Sequence, residues 1–384
     1  MGQEIEFMIA NKNDKNSWQP VLMPHNQLDV LIKEHPEISI IDEMHRNLEE
    51  LFLLRNPKYR FDKNYNDELN KFLSCYDKNF GNWFYFPWSN TLIRYLPEGL
   101  HYELRTGRNK YLINDKEQAK FYNATIVFLG MSVGSHIAIV TVMTGGAKKM
   151  KLVDPDTISG DNLNRIRSGF GDVGVKKAII VARQIFEINP YTDVELYLEG
   201  LNEENAEKII NGVDVVIEEM DNLYWKIKAR EIARQKSISV LMGTDNGDGV
   251  IIDIERYDVN KNLPILNGYA ESITSEILKT IIPNDIPKMA GKIAGANLTV
   301  PRMLYSVSEV GKSLYSWPQL GTAANMCGSI ISMLIRRIVN KDKNIKSGRY
   351  SINPDSIFES DYNKKWFSRK IGFFRFVKKV TENS

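Results

Sequence analysis

Between residues 122 and 257, short apolar runs alternate with helix-length segments at a spacing that few folds accommodate. Residues 125–129 (TIVFL) are a short, mostly apolar run, the pattern of a strand buried on both faces. A tight loop follows at 130–134, then a largely apolar, helix-length stretch at 135–144, stopped by Gly145-Gly146. Residues 149–153 read as a second strand, and 176–188 as an amphipathic helix with Ala178, Ala182, Ile185 and Phe186 at helical spacing, stopped at Pro190. Further strands are predicted at 194–198, 213–217 and 238–242, with helices from Asn202 to Gly212 and over 222–235. The DNGDG segment at 245–249 predicts a hairpin turn into a strand at 250–256. Such alternation implies an α/β fold with a doubly wound, mostly parallel sheet.

The flanks are less regular. Residues 1–115 mix helical and extended patches without a clean alternation, an additional N-terminal α+β region. A helix is predicted over 36–55, with Ile40, Ile41, Met44, Leu48, Leu51 and Phe52 on one face. The aromatic run NWFYFPW at 82–88 reads as core. Residues 321–338 form a helix apolar on most sides, hence buried, and 361–384 carry seven Lys/Arg interleaved with aromatics, read as a packed or solvated helix. Fifty basic against 48 acidic side chains give a net charge of +2, which argues against a nucleic-acid coat. Two cysteines, Cys75 and Cys327, exclude a disulfide scaffold and a cysteine-rich zinc site. No apolar run approaches membrane-spanning length, and the first residues are polar, so a cytoplasmic location is expected.

The loop after the first strand of the alternating region is Gly130-Met131-Ser132-Val133-Gly134. Placed between a strand and a helix, it can present backbone N–H groups to a phosphate, or serve simply as a close packing turn. It also matches G-x-S-x-G, which would make Ser132 a nucleophile. That chemistry needs a distant histidine after the serine, and the only one that follows, His136, lies one helical turn away. Asp154 ends the second strand, 24 residues after Gly130, where a carboxylate can accept the hydroxyls of a ribose. Asp156, Asn162, Arg165, Lys177 and, after the fourth strand, Asp221-Asn222 follow. Ends of parallel strands open on one edge, so Asp154, Asp221 and the glycine loop should converge, with Arg165 and Lys177 adding the positive charge a triphosphate needs.

In order and spacing, this constellation resembles the ubiquitin-activating/ThiF/MoeB superfamily of adenylating enzymes. Their pattern of glycine loop, D-x-D, N-L-x-R, lysine and D-N stands here as Gly130–Gly134, Asp154-x-Asp156, Asn162-Leu163-Asn164-Arg165, Lys177 and Asp221-Asn222. The upstream arginine motif has its counterpart in Arg105-Thr106-Gly107-Arg108-Asn109. The resemblance implies a Rossmann-like, ThiF-type adenylation domain over 103–340, preceded by an accessory or recognition region (1–102) and followed by a basic aromatic tail (341–384). It also implies ATP- and Mg-dependent activation of a carboxylate, from a peptide or protein C-terminus or a small acid, as acyl-AMP with release of pyrophosphate. By resemblance Lys177, Arg165 and Arg108 face the phosphates and Asn162 helps position them. Gly130, Ser132, Gly134, Asp154 and Asp156 belong to the nucleotide site, with Asp154 on the ribose, and Asp221 holds Mg. Arg108 is expected to act across a homodimer. Neither nucleic acid nor a membrane is expected as a partner.

The chain departs from the pattern in informative places. The glycine loop is one residue short, with Met131 and Ser132 where small residues normally stand; Ser132 can offer a hydroxyl donor, while Met131 must point away. Ile166 replaces a family glutamine, and the paired Cys-x-x-Cys motifs of many relatives are missing. Cys327 falls inside the apolar helix, where a small buried hydrophobe is expected, and Cys75 lies outside the family region. Adenylation without an enzyme thioester is therefore expected. The rival readings are an NAD- or FAD-binding oxidoreductase on the same kind of sheet and a catalytically degenerate ThiF-like binding protein.

Overall fold

The computed structural model of the chain describes residues 15–270, 272–280, 289, 291, 293–362, 371 and 374. The chain divides into two compact units. The first comprises residues 1–119, 142–145 and 182–192; the second comprises 120–141, 146–181 and 193–384.

The first unit is built on β1 (Val21–Met23), β2 (Ser39–Ile41), β3 (Asn82–Phe86) and β4 (Thr91–Tyr95), in the order β1-β3-β4-β2, with helices α1 (His25–Glu34), α2 (Met44–Arg55), α3 (Tyr65–Leu73) and α4 (Glu98–Thr106). The aromatic run is core, as its composition predicts: Tyr85 and Phe86 are wholly buried, and Tyr85 packs with Leu31, Trp83 and Leu92. The helix expected over 36–55 begins only at Met44. Residues 39–41 instead pair parallel with β4, Ser39 opposite Thr91, and Ile40 and Ile41 are exposed. Adjacent β-branched residues favour the extended chain, and Asp42 closes the junction by accepting a hydrogen bond from the Met44 N–H at 3.1 Å.

The second unit follows helix α5 (Asp115–Tyr122). Its strands are β5 (Thr125–Leu129), β6 (Lys149–Val153), β7 (Asp193–Tyr197), β8 (Val215–Glu218), β9 (Ser239–Asn246), β10 (Gly249–Glu255) and β11 (Gly348–Ile352). They form one sheet in the order β11-β10-β9-β8-β5-β6-β7. β5 to β9 are parallel, and β10 and β11 are antiparallel additions. The strand order therefore reverses at β5, the mark of a doubly wound sheet. Helices α6 (Val133–Met143) and α7 (Lys177–Ile188) follow β5 and β6, and α8 (Ala206–Ile210) and α9 (Leu223–Gln235) follow β7 and β8. α8 is shorter than the predicted 202–212, because the Asn202 side chain holds the Glu204 and Asn205 N–H groups in a turn before the helix starts. Beyond β10 come α10 (Ser275–Lys279), α11 (Pro301–Ser308), α12 (Gly321–Val339) and, after β11, α13 (Asp355–Phe358).

The predicted strands at 125–129 and 149–153 stand residue for residue, and the 245–249 segment closes the β9–β10 hairpin with Gly247 at φ +69°. α12 buries one face rather than most of its circumference. It lies so close to β9 that a Cβ on Gly243 would come 2.7 Å from Cys327 Sγ. The basic aromatic stretch at 361–384 lies outside the described residues except for four positions. Among the described residues no helix is long and apolar enough to cross a membrane.

Beneath the sheet's edge lies a buried charge network. Glu218, at the end of β8, accepts from Lys226 Nζ at 2.9 Å and pairs with Arg230, whose Nε reaches Glu255 at 2.7 Å. Burial pushes the Glu218 carboxyl up, but Lys226 and Arg230 outweigh it and hold it below its ordinary range. Replacing Arg230 with Met leaves two buried carboxylates short of a cation. The expected loss is about 3–5 kcal/mol in denaturant unfolding, against under about 1 kcal/mol for removal of the exposed Arg46–Glu50 pair.

Candidate functional site

The site begins where β5 ends. The chain must turn from strand into α6 within three residues, 130–132, and Gly130 makes this possible at φ +95°. An added Cβ there would lie 2.6 Å from the Glu219 carbonyl oxygen, so the loop is pressed against the end of β8. Glu219 N–H donates to Leu129 O at 2.7 Å, and Gly130 N–H to Val153 O at 2.8 Å, which aligns three strand ends. Met131 is fully buried, so its side chain turns into the protein, as the loop's spacing demands. Gly134, by contrast, has only ordinary contacts: its nearest neighbour would be Met131 Cε at 3.5 Å. Ser132 stands half-buried at the start of α6, where unpaired backbone N–H groups and the helix dipole favour an anion.

Asp154 ties the second strand to this loop. It is buried, and its carboxylate accepts from the Met131 N–H at 2.6 Å and from the Asp156 N–H at 2.8 Å. Burial raises its pKa, opposed by nearby Lys177 and by these two backbone donors. Lys177, the first residue of α7, places Nζ 2.9 Å from Asp156 Oδ2. Asn162 is buried in a 3-10 turn (Gly160–Asn164), where its Oδ1 accepts from the Ser159 N–H at 3.3 Å. Arg165 follows that turn and reaches back to the loop: Nε donates to Ser132 Oγ at 3.2 Å, and Nη1 to Asp161 O and Asn164 Oδ1.

The predicted residues Gly130, Ser132, Gly134, Asp154, Asp156, Asn162, Arg165 and Lys177 thus lie in one set of connected loops in the second unit. Asp221 is exposed just past β8, the strand beside β5, and the next residue, Asn222, caps α9 by accepting from the Trp225 N–H at 3.1 Å. Arg108 belongs to the first unit, exposed on a 3-10 turn (Gly107–Asn109).

Sequence reasoning missed a second group of acids. Glu219 is half-buried and its carboxylate accepts from the Gly243 N–H at 2.7 Å; burial, with Glu218 and Asp245 adding to it, drives its pKa well up against the pull of Lys226. Asp245, near the end of β9, is only 7% exposed, and neither carboxylate oxygen has a hydrogen-bond partner. Burial pushes it up to about 7, with Arg165 and Gln319 offsetting part of the cost. The thiol of Cys327 is raised by burial and by these two acids. Asp245 and Arg165 line a cavity of about 840 Å³, closed by residues from 300–303, 314–320 and 353–362. That volume suits a small-molecule or peptide-end site. The sequence signal was available in outline: two consecutive acids (Glu218-Glu219) end the apolar run of β8, an improbable place for solvated side chains.

A glycine loop at the reversal of a doubly wound sheet, with an acid on the next strand and cations on the following loops, defines an α/β protein with a Rossmann-like sheet. The chain belongs to the ThiF family, whose model matches residues 106–358. Among curated proteins it is similar to the uncharacterized protein MT1398 of Mycobacterium tuberculosis, 33% identical over 272 residues, covering 71% of this chain and 38% of that protein. It is also similar to the sulfur carrier protein adenylyltransferase of Thermus thermophilus, at 24% identity over 41% of this chain and 56% of that protein. The chain thus spans little more than a third to a half of these relatives' lengths. Among solved structures, E. coli tRNA N6-threonylcarbamoyladenosine dehydratase aligns over 63% of this chain and 97% of its own, at 19% identity and a TM-score of 0.44.

The Asp245 carboxyl gives a stability signature. Its folded pKa lies above its unfolded one, so the proton it holds favours the folded state at low pH, and stability is lost as pH rises from about 4 towards 7. In urea unfolding, wild type should lose roughly 2.5 kcal/mol between about pH 5 and pH 8 relative to Asp245→Asn. Parallel pH profiles for the two proteins would refute the assignment.

Proposed function

We propose that the chain is an ATP- and Mg-dependent adenylyltransferase that activates a substrate carboxylate as acyl-AMP. A carboxylate oxygen attacks the α-phosphorus of ATP, a P–O bond forms, the bond to the β-phosphate oxygen breaks, and pyrophosphate leaves. The observation that carries this reading is the Ser132–Arg165 contact beside the Asp154-anchored glycine loop, with Lys177 on the adjoining turn. It puts two cations and a helix N-terminus around one loop. The Thermus relative's name, an adenylyltransferase of a sulfur carrier protein, supports the same reaction class.

The difficulty of the reaction is electrostatic, since one anion must approach another. The chain's part is to hold both and to offset the charge that gathers between them. Arg165 and the α6 N-terminus would meet the phosphates. Lys177, now paired with Asp156, would turn its ammonium to them, and Asn162 would hold the 160–164 turn that aims Arg165. Asp154 keeps acceptor capacity beyond its two backbone bonds and would take the ribose hydroxyls. Asp221 is an exposed oxygen ligand, the donor that Mg prefers; among the described residues no cluster of three metal-binding side chains exists, so phosphate and water would complete its shell. Mg, when bound, supplies charge neutralisation of the phosphates. The buried Cys327 thiol, raised rather than activated, supports a mechanism without an enzyme thioester.

Arg108 would act from a partner chain in a homodimer. Residues 1–102 would serve as an accessory recognition region beside the 103–340 adenylation domain and the 341–384 tail. The activated acid would be a peptide or protein C-terminus or a small metabolite, in the cytoplasm, with no role for nucleic acid or a membrane.

ATP–pyrophosphate exchange driven by candidate acids tests this reading. Asp221→Ala and Lys177→Ala should each lower exchange by about 10²–10³-fold, and calorimetry should give heat with ATP and none with NAD. Heat with NAD and none with ATP would transfer the protein to the oxidoreductases. Light scattering should report a dimer, and a strict monomer with full exchange would remove Arg108 from the site.

A further inference from the structure

The cavity beside Arg165 has a polarity of its own. Asp245 lines it, nine-tenths buried, with both carboxylate oxygens unpartnered. Buried polar groups are almost always paired, and a buried carboxylate without a partner costs free energy. The elements packed against Asp245 do not supply the missing charge: Glu219 at the end of β8 and Cys327 on α12 both face it, and neither is a cation. Arg165 is near enough to favour its ionised form but makes no hydrogen bond to it.

The rest of the lining continues the same sign. Asp161, Asp248, Asp355 and Glu359 also line the cavity, with one further cation, Arg302. Trp317, half-exposed at the same cavity, adds an aromatic face of the kind that attracts cations. Of the two lining cations, Arg165 is the residue tied to Ser132 of the glycine loop. Carboxylates therefore outnumber cations in the lining, and one of the two cations, Arg165, stands on the side of the loop.

We propose that this cavity receives a carboxylic acid whose chain carries a basic nitrogen, an ammonium or guanidinium group, and that Asp245 is the specificity-determining residue that pairs with that nitrogen. The carboxylate would lie towards Arg165. Its activation rests on the adenylation reading; the recognition of the nitrogen does not. The nitrogen can belong to a free acid or to the last residues of a peptide, and the chemistry of the cavity is the same for both.

Calorimetry on the full chain with matched pairs tests it: L-leucine against 4-methylpentanoate, 6-aminohexanoate against heptanoate, and a pentapeptide ending in lysine against the same peptide ending in norleucine. At least one cationic member should bind about tenfold or more tightly than its neutral match, the scale of one net ion pair, and the pair that shows it identifies the source. Asp245→Asn should abolish the preference while leaving ATP binding within about twofold of wild type, and Asp245→Glu should restore part of it. Equal or weaker binding of the cationic member in all three pairs by the wild-type protein overturns the proposal, whether or not the variants fold. A preference that survives in Asp245→Asn removes Asp245 from it. ATP is titrated separately. Its failure to bind would sink the adenylation reading and leave the cavity result to be judged alone.

Discussion

The close approach of the Gly130 loop to the end of β8 is the constraint on which the second unit's working edge depends. A side chain at 130 has nowhere to go, with the Glu219 carbonyl 2.6 Å from where a Cβ would stand. Because the loop is pressed there, Glu219 N–H can bond Leu129 and the ends of β5, β6 and β8 are held level. Asp154 then fastens the loop from the other side through the Met131 N–H. The short loop that looked like a defect is compensated by that fastening: Met131 is drawn inward and its backbone N–H is used by the protein itself. Ser132 stays half-buried at the start of α6, where its Oγ accepts from Arg165 Nε.

Much of this edge was legible because it is local. β5 is an apolar run closed by Gly130, and β6 (K-M-K-L-V) buries Met150, Leu152 and Val153 before an Asp-Pro turn. The direction of Met131 followed from the space a phosphate needs. The helix expected from residue 36 failed for the opposite reason. Two isoleucines at 40 and 41 satisfy a helical stripe and a strand equally, and only pairing with β4, fifty residues away in sequence, decides for the strand.

The acids around Asp245 could not be read in this way. DNGDG reads as a solvated turn, and a turn it is, yet its first residue belongs to β9, opposite Val250, and faces inward. The wall that makes a cavity of it comes from 314–320 and 353–362, segments with little regular structure whose position is set by packing rather than pattern. α12, legible as a helix, gave no sign that its cysteine would sit against Gly243 and beneath two carboxyls.

Taken together, Glu218, Glu219 and Asp245 show compensation diminishing towards the cavity. Glu218 has a lysine and an arginine and stays ionised despite complete burial. Glu219 has one backbone N–H and is driven towards its neutral form. Neither oxygen of Asp245 has a partner at hydrogen-bond geometry, only Arg165 and Gln319 near by, and its pKa is pushed up to about 7. Purely structural acids would all resemble Glu218, since an unpaired buried carboxylate only destabilises the fold that contains it. The protein pairs Glu218 with two cations inside the fold, whereas Asp245 at the cavity has Arg165 near it but no ion pair. The destabilising member of the series is the one that lines the cavity, which is the arrangement the proposed pairing with a basic nitrogen requires.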